Sequence, residues 1–586
     1  METLKHECGV ALIRLKKPIE HFEEKYGTAR YALNKLYLLM QKQHNRGQEG
    51  AGAACVSLGA QPGQEFIFRE RQEGKNAIPE LFAEIGKQIQ ATPEGENEPF
   101  IGECYMGHLR YSTTGRSGAT YVHPHLRRNN YRENTLALCG NFNLTNVDEI
   151  FGHLKELGQH PRRTSDTTIL LEQLGYALDT QRESEDILKS TMPMWDGGFV
   201  MCGMTGDGRI FVSRDPWGIR SAFYYEDEEL IVIASERPAI QTVMNVKSEQ
   251  ITEINPGEAL LIDSEAELSK VQIVEPQNPR PCSFERIYFS RGNDRDIYRE
   301  RKALGRGVVP AILTSIDNDL RNSVFSFIPN TAEVAFWGMN EYLKKHLDKE
   351  KYRKITENRD MSEEELKDII SQRIRIEKVA VKDIKLRTFI SESGKRDELS
   401  SHVYDITYGS IRPNEDNLIV IDDSIVRGTT LKQSIITILS RLKPKKMIIV
   451  SSAPQIRYPD FYGIDMADIS QLIAFKAVLG LCSEEQITAV YKKCKAQQCK
   501  VGDELQNYVK ELYAPYSDEE ISAEIARIVT PKGIECKVEL IFQTRETLLE
   551  ICEHNPGDWY FSGNYPTAGG LRMLNESFIS FYENRN

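Results

Sequence analysis

The run Leu418-Ile419-Val420-Ile421-Asp422-Asp423-Ser424-Ile425-Val426-Arg427-Gly428-Thr429-Thr430 decides how the second half of this chain is read. An uninterrupted aliphatic stretch bounded by a turn predicts a strand buried on both faces, as in a parallel sheet. Two carboxylates end it, and a short polar loop opens the helical pattern LKQSIITILSRL at 431–442. At the carboxyl edge of a parallel sheet, the backbone N–H groups of Arg427 to Thr430 and the Ser424, Thr429 and Thr430 hydroxyls can cradle a phosphate. The helix N-terminus there offers unpaired donors and the positive end of the dipole. Gly428 permits close backbone approach. Asp422 and Asp423 present only oxygen, which suits sugar hydroxyls and a hard cation such as Mg2+.

Working outward, Met447-Ile448-Ile449-Val450 repeats the strand pattern after that helix, so strand, helix and strand form a βαβ unit. Residues 341–378 and 480–556 are heavily charged, with Glu/Lys spacings that suit solvated amphipathic helices, and are expected as helical insertions on the surface. Residues 1–275 read differently. Short segments such as Ile210-Phe211-Val212 and Leu230-Ile231-Val232-Ile233-Ala234 alternate with Gly, Asp and Asn turns, which predicts a β-rich α+β domain. The stretch PQNPRPC at 276–282 restricts its own backbone and predicts the linker, giving domains 1–275 and 276–586. A chain of 586 residues exceeds the ~250–300 at which one core stops growing, in keeping with more than one domain.

Lys and Arg number 74 against 86 Asp and Glu, a net charge of −12, so the chain has no general electrostatic footprint for nucleic acid. No apolar run approaches the ~18 residues of a membrane span, and METLKHECGVALIRLKK carries charge from Lys5 onward and lacks a secretory h-region. A cytoplasmic protein that binds neither membrane nor nucleic acid is expected. Its 11 cysteines are too sparse for a disulfide scaffold, so each is a buried thiol, a ligand or a nucleophile according to position.

Cys8, in Glu7-Cys8-Gly9-Val10, would by itself be a small buried hydrophobe on a first strand. The motifs downstream change that reading. In order they are Arg46-Gly47-Gln48-Glu49-Gly50-Ala51-Gly52, Gly107-His108-Leu109-Arg110-Tyr111-Ser112-Thr113, Asn141-Phe142-Asn143-Leu144-Thr145-Asn146, Thr164-Ser165-Asp166-Thr167 and Arg214-Asp215-Pro216-Trp217-Gly218-Ile219-Arg220. This succession resembles the class II glutamine amidotransferase domain, which implies an α+β N-terminal-nucleophile fold, an αββα sandwich. Glutamine hydrolysis needs a thiolate, a base, an oxyanion hole and grips for the charged ends of a free amino acid. The resemblance gives Cys8 as nucleophile and its own α-amino group as base, freed by removal of a propeptide, residues 1–7. An α-amino pKa of about 7.7–8.0 suits proton transfer near neutrality. The resemblance gives the Asn141 side chain and Phe142 backbone N–H as oxyanion hole, Arg110 for the substrate α-carboxylate, Asp166 for its α-ammonium, and Arg46 beside the nucleophile.

The Leu418–Thr430 run in turn resembles the phosphoribosylpyrophosphate (PRPP) motif of the type I phosphoribosyltransferases, which implies an α/β parallel-sheet domain. By that resemblance Asp422 and Asp423 bind ribose and Mg2+, and Ser424, Arg427, Gly428, Thr429 and Thr430 bind the 5′-phosphate. Thr331 adds a hydroxyl to the metal site, and Arg387 belongs to the loop that closes over PRPP. The two domains in this order resemble the glutamine PRPP amidotransferase family, which also matches at Cys282-Ser283-Phe284-Glu285-Arg286-Ile287-Tyr288-Phe289-Ser290 and Ser562-Gly563-Asn564-Tyr565-Pro566-Thr567. That family implies a pentosyltransferase at the head of purine synthesis, making 5-phosphoribosylamine, glutamate and pyrophosphate from glutamine, PRPP and water. It further implies purine nucleotide inhibitors and a homo-oligomer.

The chain departs from the family in places. Many members carry an iron–sulfur cluster on four cysteines; the matching positions are Cys282, Asp460, Gly557 and Tyr560, and one thiol implies no iron–sulfur cluster. Pro329-Asn330-Thr331-Ala332 lacks the family's acid, and only the second half of Val381-Lys382-Asp383-Ile384-Lys385-Leu386-Arg387-Thr388-Phe389-Ile390 keeps the loop pattern. Asn45 is inserted between His44 and Arg46, and Phe142 replaces a glycine. Two alternatives stay open: a catalytically weakened paralogue that binds PRPP or nucleotides as a regulator, and an amidotransferase with another phosphoribosyl acceptor.

Overall fold

Every residue of the Gly9–Leu15 strand is buried, because apolar layers lie on both of its faces. Ala11, Ile13 and Leu15 meet the helices Tyr31–Lys42 and Ala77–Ala91, while Val10 and Leu12 meet a second sheet. The period of two along a strand sends alternate side chains to opposite faces. The computed structural model describes residues 8–93, 96–111, 119–358, 360–382, 404–464, 466–500, 502–552 and 557–585.

The first sheet has seven antiparallel strands in the order Thr252–Glu253, Phe223–Glu226, Leu230–Ala234, Gly9–Leu15, Cys104–Arg110, Gly50–Val56 and Ile67–Glu73. The second has six, in the order Leu268–Gln272, Glu258–Ile262, Ile210–Arg214, Gly197–Thr205, Leu136–Leu144 and His125–Arg127. Leu136 and Leu138 face the helices Val147–Glu156, Asp166–Thr180 and Ser184–Thr191, while Ala137 and Cys139 fill the space between the sheets. Helix, sheet, sheet, helix is the αββα sandwich expected from the sequence.

Beyond Gln272 the chain crosses to its second half, where Cys282 bridges to Gly557. A five-stranded sheet follows, in the order Arg375–Ile376, Ser323–Phe327, Asn417–Asp422, Lys446–Ser451 and Lys537–Phe542, with every pairing parallel. Leu418 and Val420 enter one apolar layer and Ile419 and Ile421 the other, which is why this strand reads as unbroken aliphatic. The second half is therefore the expected α/β parallel-sheet domain.

The two charged segments differ from expectation. The Glu333–Glu357 helix starts in the core with Phe336 and Met339, carries buried Leu343 and Leu347 onward, and leads to the edge strand Arg375–Ile376. Residues 480–556 supply the opposite edge strand, Lys537–Phe542. They also supply two helices with buried stripes, Ile487, Val490 and Cys494 on Glu484–Ala496, and Ile521, Ile525 and Val529 on Asp518–Val529. Ser362 with Glu365, Ser483 with Gln486, and Ser517 with Glu520 form capping boxes that start helices in these segments. High charge concealed apolar residues spaced three and four apart, so both segments are parts of the domain rather than surface additions. Among the described residues no helix is long and apolar enough to cross a membrane.

Candidate active site

Cys8 immediately precedes the Gly9–Leu15 strand, and the register Gly9↔Leu109 sets it beside Arg110 and Tyr111 at the end of the neighbouring strand. Its Sγ lies 3.8 Å from the Tyr111 carbonyl oxygen. Burial pushes the Cys8 thiol up to about 11, against the opposing pull of a backbone hydrogen bond from Tyr111 and of the Arg110 charge. Cys8, Arg110, Tyr111, Phe142 and Asp166 all line one cavity of about 640 Å³. A guanidinium and a carboxylate in one cavity match the two charged ends of a free amino acid.

Asp166 is the first residue of the Asp166–Thr180 helix, where the dipole favours an anion. Burial raises its carboxyl, and the Thr167 N–H at 2.7 Å from Oδ1 opposes that shift. The Arg110 guanidinium lies over the Tyr121 ring, 5.7 Å from its centroid. On the Leu136–Leu144 strand Asn141 is buried and falls on the same side as Ala137 and Cys139, facing the sheet that carries Cys8. Phe142 points to the other side and stacks on His123 at 5.5 Å. Residues 1–7, the expected propeptide, lie outside the described residues.

Arg46 spans two places, near Cys8 by its Cβ and at the domain junction by its guanidinium. Its Cβ would pack within 3.3 Å of a side chain at Gly9, beside Cys8, but its guanidinium reaches Glu236 at 2.7 Å and Glu285 at 3.0 and 2.7 Å. Glu285 belongs to the second domain, so Arg46 ties the domains together and is absent from the lining of the Cys8 cavity. Residues not singled out from the sequence do line it: His123 and His125, and Arg572, Met573 and Glu576 from the Ala568–Arg585 helix. The pair His123-Pro124-His125 was a visible signal; nothing local marked the distant helix.

The second cavity, about 650 Å³, opens at the carboxyl end of the parallel sheet. Asp422, Asp423, Ser424, Arg427, Gly428, Thr429 and Thr430 line it together with Thr331. Gly428 has φ +73°, a region glycine adopts without the Cβ penalty. The Ile473 N–H donates to the Val426 carbonyl at 2.8 Å and pins the loop. Burial raises Asp423 to about 6, opposed by a Ser424 hydroxyl at 3.0 Å and by the Arg301 charge. Burial and the adjoining Asp423 charge raise Asp422 well above the carboxylate range. Two neighbouring carboxylates held against ionisation form an all-oxygen donor set that suits Mg2+. Arg387 lies outside the described residues.

The first domain also contributes to this cavity, through His44, Asn45, Gln48, Glu49 and Lys75. Tyr111 stands in the walls of both cavities. Elsewhere, the four positions that match the family's cluster ligands come together in space. Cys282 Sγ lies 3.0 Å from the Tyr560 hydroxyl, Cys282 bridges Gly557, and Asp460 accepts from Trp559 Nε1 at 3.0 Å and from the Ile464 N–H at 2.7 Å. A single thiol, pushed up to about 12 by burial, and a carboxylate already taken up by N–H donors do not fit an iron–sulfur cluster. Among the described residues no group of three or more His, Cys, Asp or Glu is placed to hold a metal.

Residues 127–242 match the glutamine amidotransferase domain family. The chain is 28% identical to the amidophosphoribosyltransferase of Bacillus subtilis, over 81% of this chain and 85% of that one. It is 26% identical to the amidophosphoribosyltransferase of Methanocaldococcus jannaschii, over 75% and 84%. The solved glutamine PRPP amidotransferase of B. subtilis, complexed with ADP and GMP, superposes with a TM-score of 0.65 at 24% identity, covering 96% of this chain and 97% of that one. This chain is a relative of the amidophosphoribosyltransferases. The amidophosphoribosyltransferase fold thus accounts for both halves and for their order, the antiparallel sandwich first and the parallel sheet second.

Proposed function

We propose that the chain is an amidophosphoribosyltransferase that makes 5-phosphoribosylamine, glutamate and pyrophosphate from glutamine, PRPP and water, the first committed step of purine synthesis. The observation that carries this reading is the pair of cavities, one lined by Cys8 with a guanidinium and a carboxylate, the other by the Ser424–Thr430 loop with two carboxylates, meeting at Tyr111. In this reading the α-amino nitrogen of Cys8 takes the thiol proton and the sulfur attacks the carboxamide carbon. The Asn141 side chain and the Phe142 N–H hold the oxyanion, ammonia leaves, and water releases glutamate from the thioester. A base is required there, because a thiol at about 11 leaves a thiolate fraction on the order of 10⁻⁴ at neutrality.

Arg110 grips the α-carboxylate and Asp166 the α-ammonium. Ammonia passes Tyr111 to the anomeric carbon of PRPP, forming the C–N bond as the C–O bond to pyrophosphate breaks. The loop from Ser424 to Thr430 holds the 5′-phosphate, with Arg387 closing over the ligand. Asp422, Asp423 and the Thr331 hydroxyl would hold Mg2+, whose charge, when bound, offsets the charge that develops on the leaving pyrophosphate. Cytoplasmic placement, homo-oligomeric assembly and inhibition by purine nucleotides belong to the same reading, the last supported by the ADP and GMP bound in the B. subtilis structure.

Pyrophosphate release from PRPP in the presence of Mg2+ tests it. Wild type is expected to use glutamine or ammonia, and Cys8→Ala ammonia alone, with an intact mass showing loss of Met1–Glu7. Glutamate release without phosphoribosylamine would point to another acceptor. Tight PRPP binding without turnover from either nitrogen source would point to a regulator.

A further inference from the structure

The Cys8 cavity contains a stack of histidines that the proposed chemistry does not use. His123 lies between His108, with ring centroids 4.2 Å apart, and Phe142 at 5.5 Å, and meets His125 edge-on at 5.2 Å. His108 and His123 are buried, and His108 Nδ1, His123 Nδ1 and His125 Nε2 have no hydrogen-bond partner. The remaining nitrogens of the first two fix their tautomers. His108 Nε2 is 3.1 Å from the Gly140 carbonyl oxygen, which can only accept, so Nε2 carries the proton and Nδ1 is bare.

His123 Nε2 is 2.9 Å from Thr167 Oγ1, and that hydroxyl is 3.3 Å from Asp166 Oδ1. A hydroxyl has one proton to give, and an ionised carboxylate only accepts. Thr167 therefore donates to Asp166 and accepts from His123, whose Nδ1 is left bare as well. Burial keeps the rings uncharged, with His108 down to about 3, His125 down to about 4, and His123 well below the usual histidine range. A ring that stays neutral here cannot bind by charge; what it can do is aim a neighbour.

We infer that His123 is a positioning residue for glutamine, which through Thr167 holds the Asp166 carboxylate in the orientation that meets the substrate α-ammonium. Asp166 Oδ1 is occupied by the Thr167 N–H at 2.7 Å and by the Thr167 hydroxyl, which leaves Oδ2 to face the ligand. Without the His123 bond the Thr167 hydroxyl is free to rotate, and one of the two bonds that fix the carboxylate is weakened. The inference rests on the glutaminase reading of Cys8 given above.

His123→Phe keeps the stack and removes the donor; Thr167→Val removes the hydroxyl at similar shape; Thr167→Ser retains it. The first two are expected to raise KM for glutamine about tenfold, the worth of one hydrogen bond to a charged group, with Thr167→Ser near wild type. The double variant His123→Phe with Thr167→Val is expected to be no worse than either single variant, because both break the same chain. Preference for glutamine over 4-carbamoylbutanoate, which lacks the α-amino group, is expected to shrink about tenfold in His123→Phe, the same hydrogen bond's worth. Ammonia-dependent turnover and the rate of Cys8 alkylation by iodoacetamide, neither of which needs an ammonium grip, are expected to stay at wild type. An unchanged KM and preference in His123→Phe, or additive losses in the double variant, overturn the inference. Should His123→Phe not fold, Thr167→Val against Thr167→Ser decides by the same readouts. If wild type itself neither hydrolyses glutamine nor is alkylated at Cys8, the glutaminase reading is at fault and the inference falls with it.

Discussion

Burial pushes the Asp423 carboxyl up to about 6, and burial together with the Asp423 charge beside it raises Asp422 well above the carboxylate range. The consequence for stability has a definite sign. An unfolded chain loses these protons near pH 4, so between about pH 4 and 6 the folded chain binds more of them and stability falls as pH rises. A divalent cation between the carboxylates reverses that cost. Mg2+ is expected to raise the melting temperature more at pH 7.5 than at pH 5, read by calorimetry with and without the metal. Asp423→Asn is expected to melt higher than wild type at pH 7.5 without metal, to lose most of the Mg2+ effect, and to lose PRPP turnover. At this scale the sequence was most legible where chemistry runs along the chain, as in Asp422 through Thr430, or where an ordered set of motifs names the partners, as for Cys8, Arg110 and Asp166. Arg46 was illegible because its partner Glu285 lies 239 residues away and nothing local says which of two fates a buried guanidinium takes.

Among elements, the loop after the Asn417–Asp422 strand and one helix pair show how much depends on a missing Cβ. Gly428→Ala would place a methyl in a left-handed conformation, 3.0 Å from Val529 Cγ1, and is expected to cost about 1–2 kcal/mol of stability and to raise KM for PRPP. Its glutamine site is expected to be unaffected, judged by Cys8 alkylation. Gly305 and Gly338 let the helices Arg295–Gly307 and Glu333–Glu357 touch, since a Cβ on either would collide with the backbone of the other helix, at Ala335 and Lys302. Gly338→Ala is expected to cost about 1–3 kcal/mol, measured by urea unfolding, because neither backbone can yield far. The charged segments 341–378 and 480–556 mark the limit of reading elements from composition. Their capping boxes were in the sequence, but the edge strands Arg375–Ile376 and Lys537–Phe542 are short and half polar, and only the sheet beside them makes them strands.

At the scale of the whole molecule, the domains are joined by a buried ion cluster. The Arg46 side chain is 0% exposed, and its partners Glu236 and Glu285 are 2% and 7% exposed. Removing Arg46 leaves two buried carboxylates without their shared cation, so Arg46→Ala is expected to cost about 3–5 kcal/mol and to split a single calorimetric transition into two. The buried histidines give the first domain an acid limit. Their folded pKa values lie below the usual 6.5, so the unfolded chain binds more protons as pH falls from about 6.5 toward 4, and stability falls with it. The melting temperature of the first domain is expected to be lower at pH 5 than at pH 7, with a smaller difference in His123→Phe.

The Ala568–Arg585 helix has a bearing on timing. It is held against the first domain by Arg572, which donates to Glu149 at 2.6 Å and to the Thr145 carbonyl at 2.8 Å, and by the Gly569 N–H, which donates to Asp196 at 3.1 Å. Through Arg572, Met573 and Glu576 it walls the cavity of the residue translated more than 500 positions earlier, Cys8. The ribosome makes this helix after the closing strand Lys537–Phe542 of the parallel sheet, so a nascent chain can complete that sheet before the Cys8 cavity is walled in. An unfinished chain therefore carries the Cys8 cavity without the wall that Arg572, Met573 and Glu576 supply, and that wall is the last part of the cavity to be made.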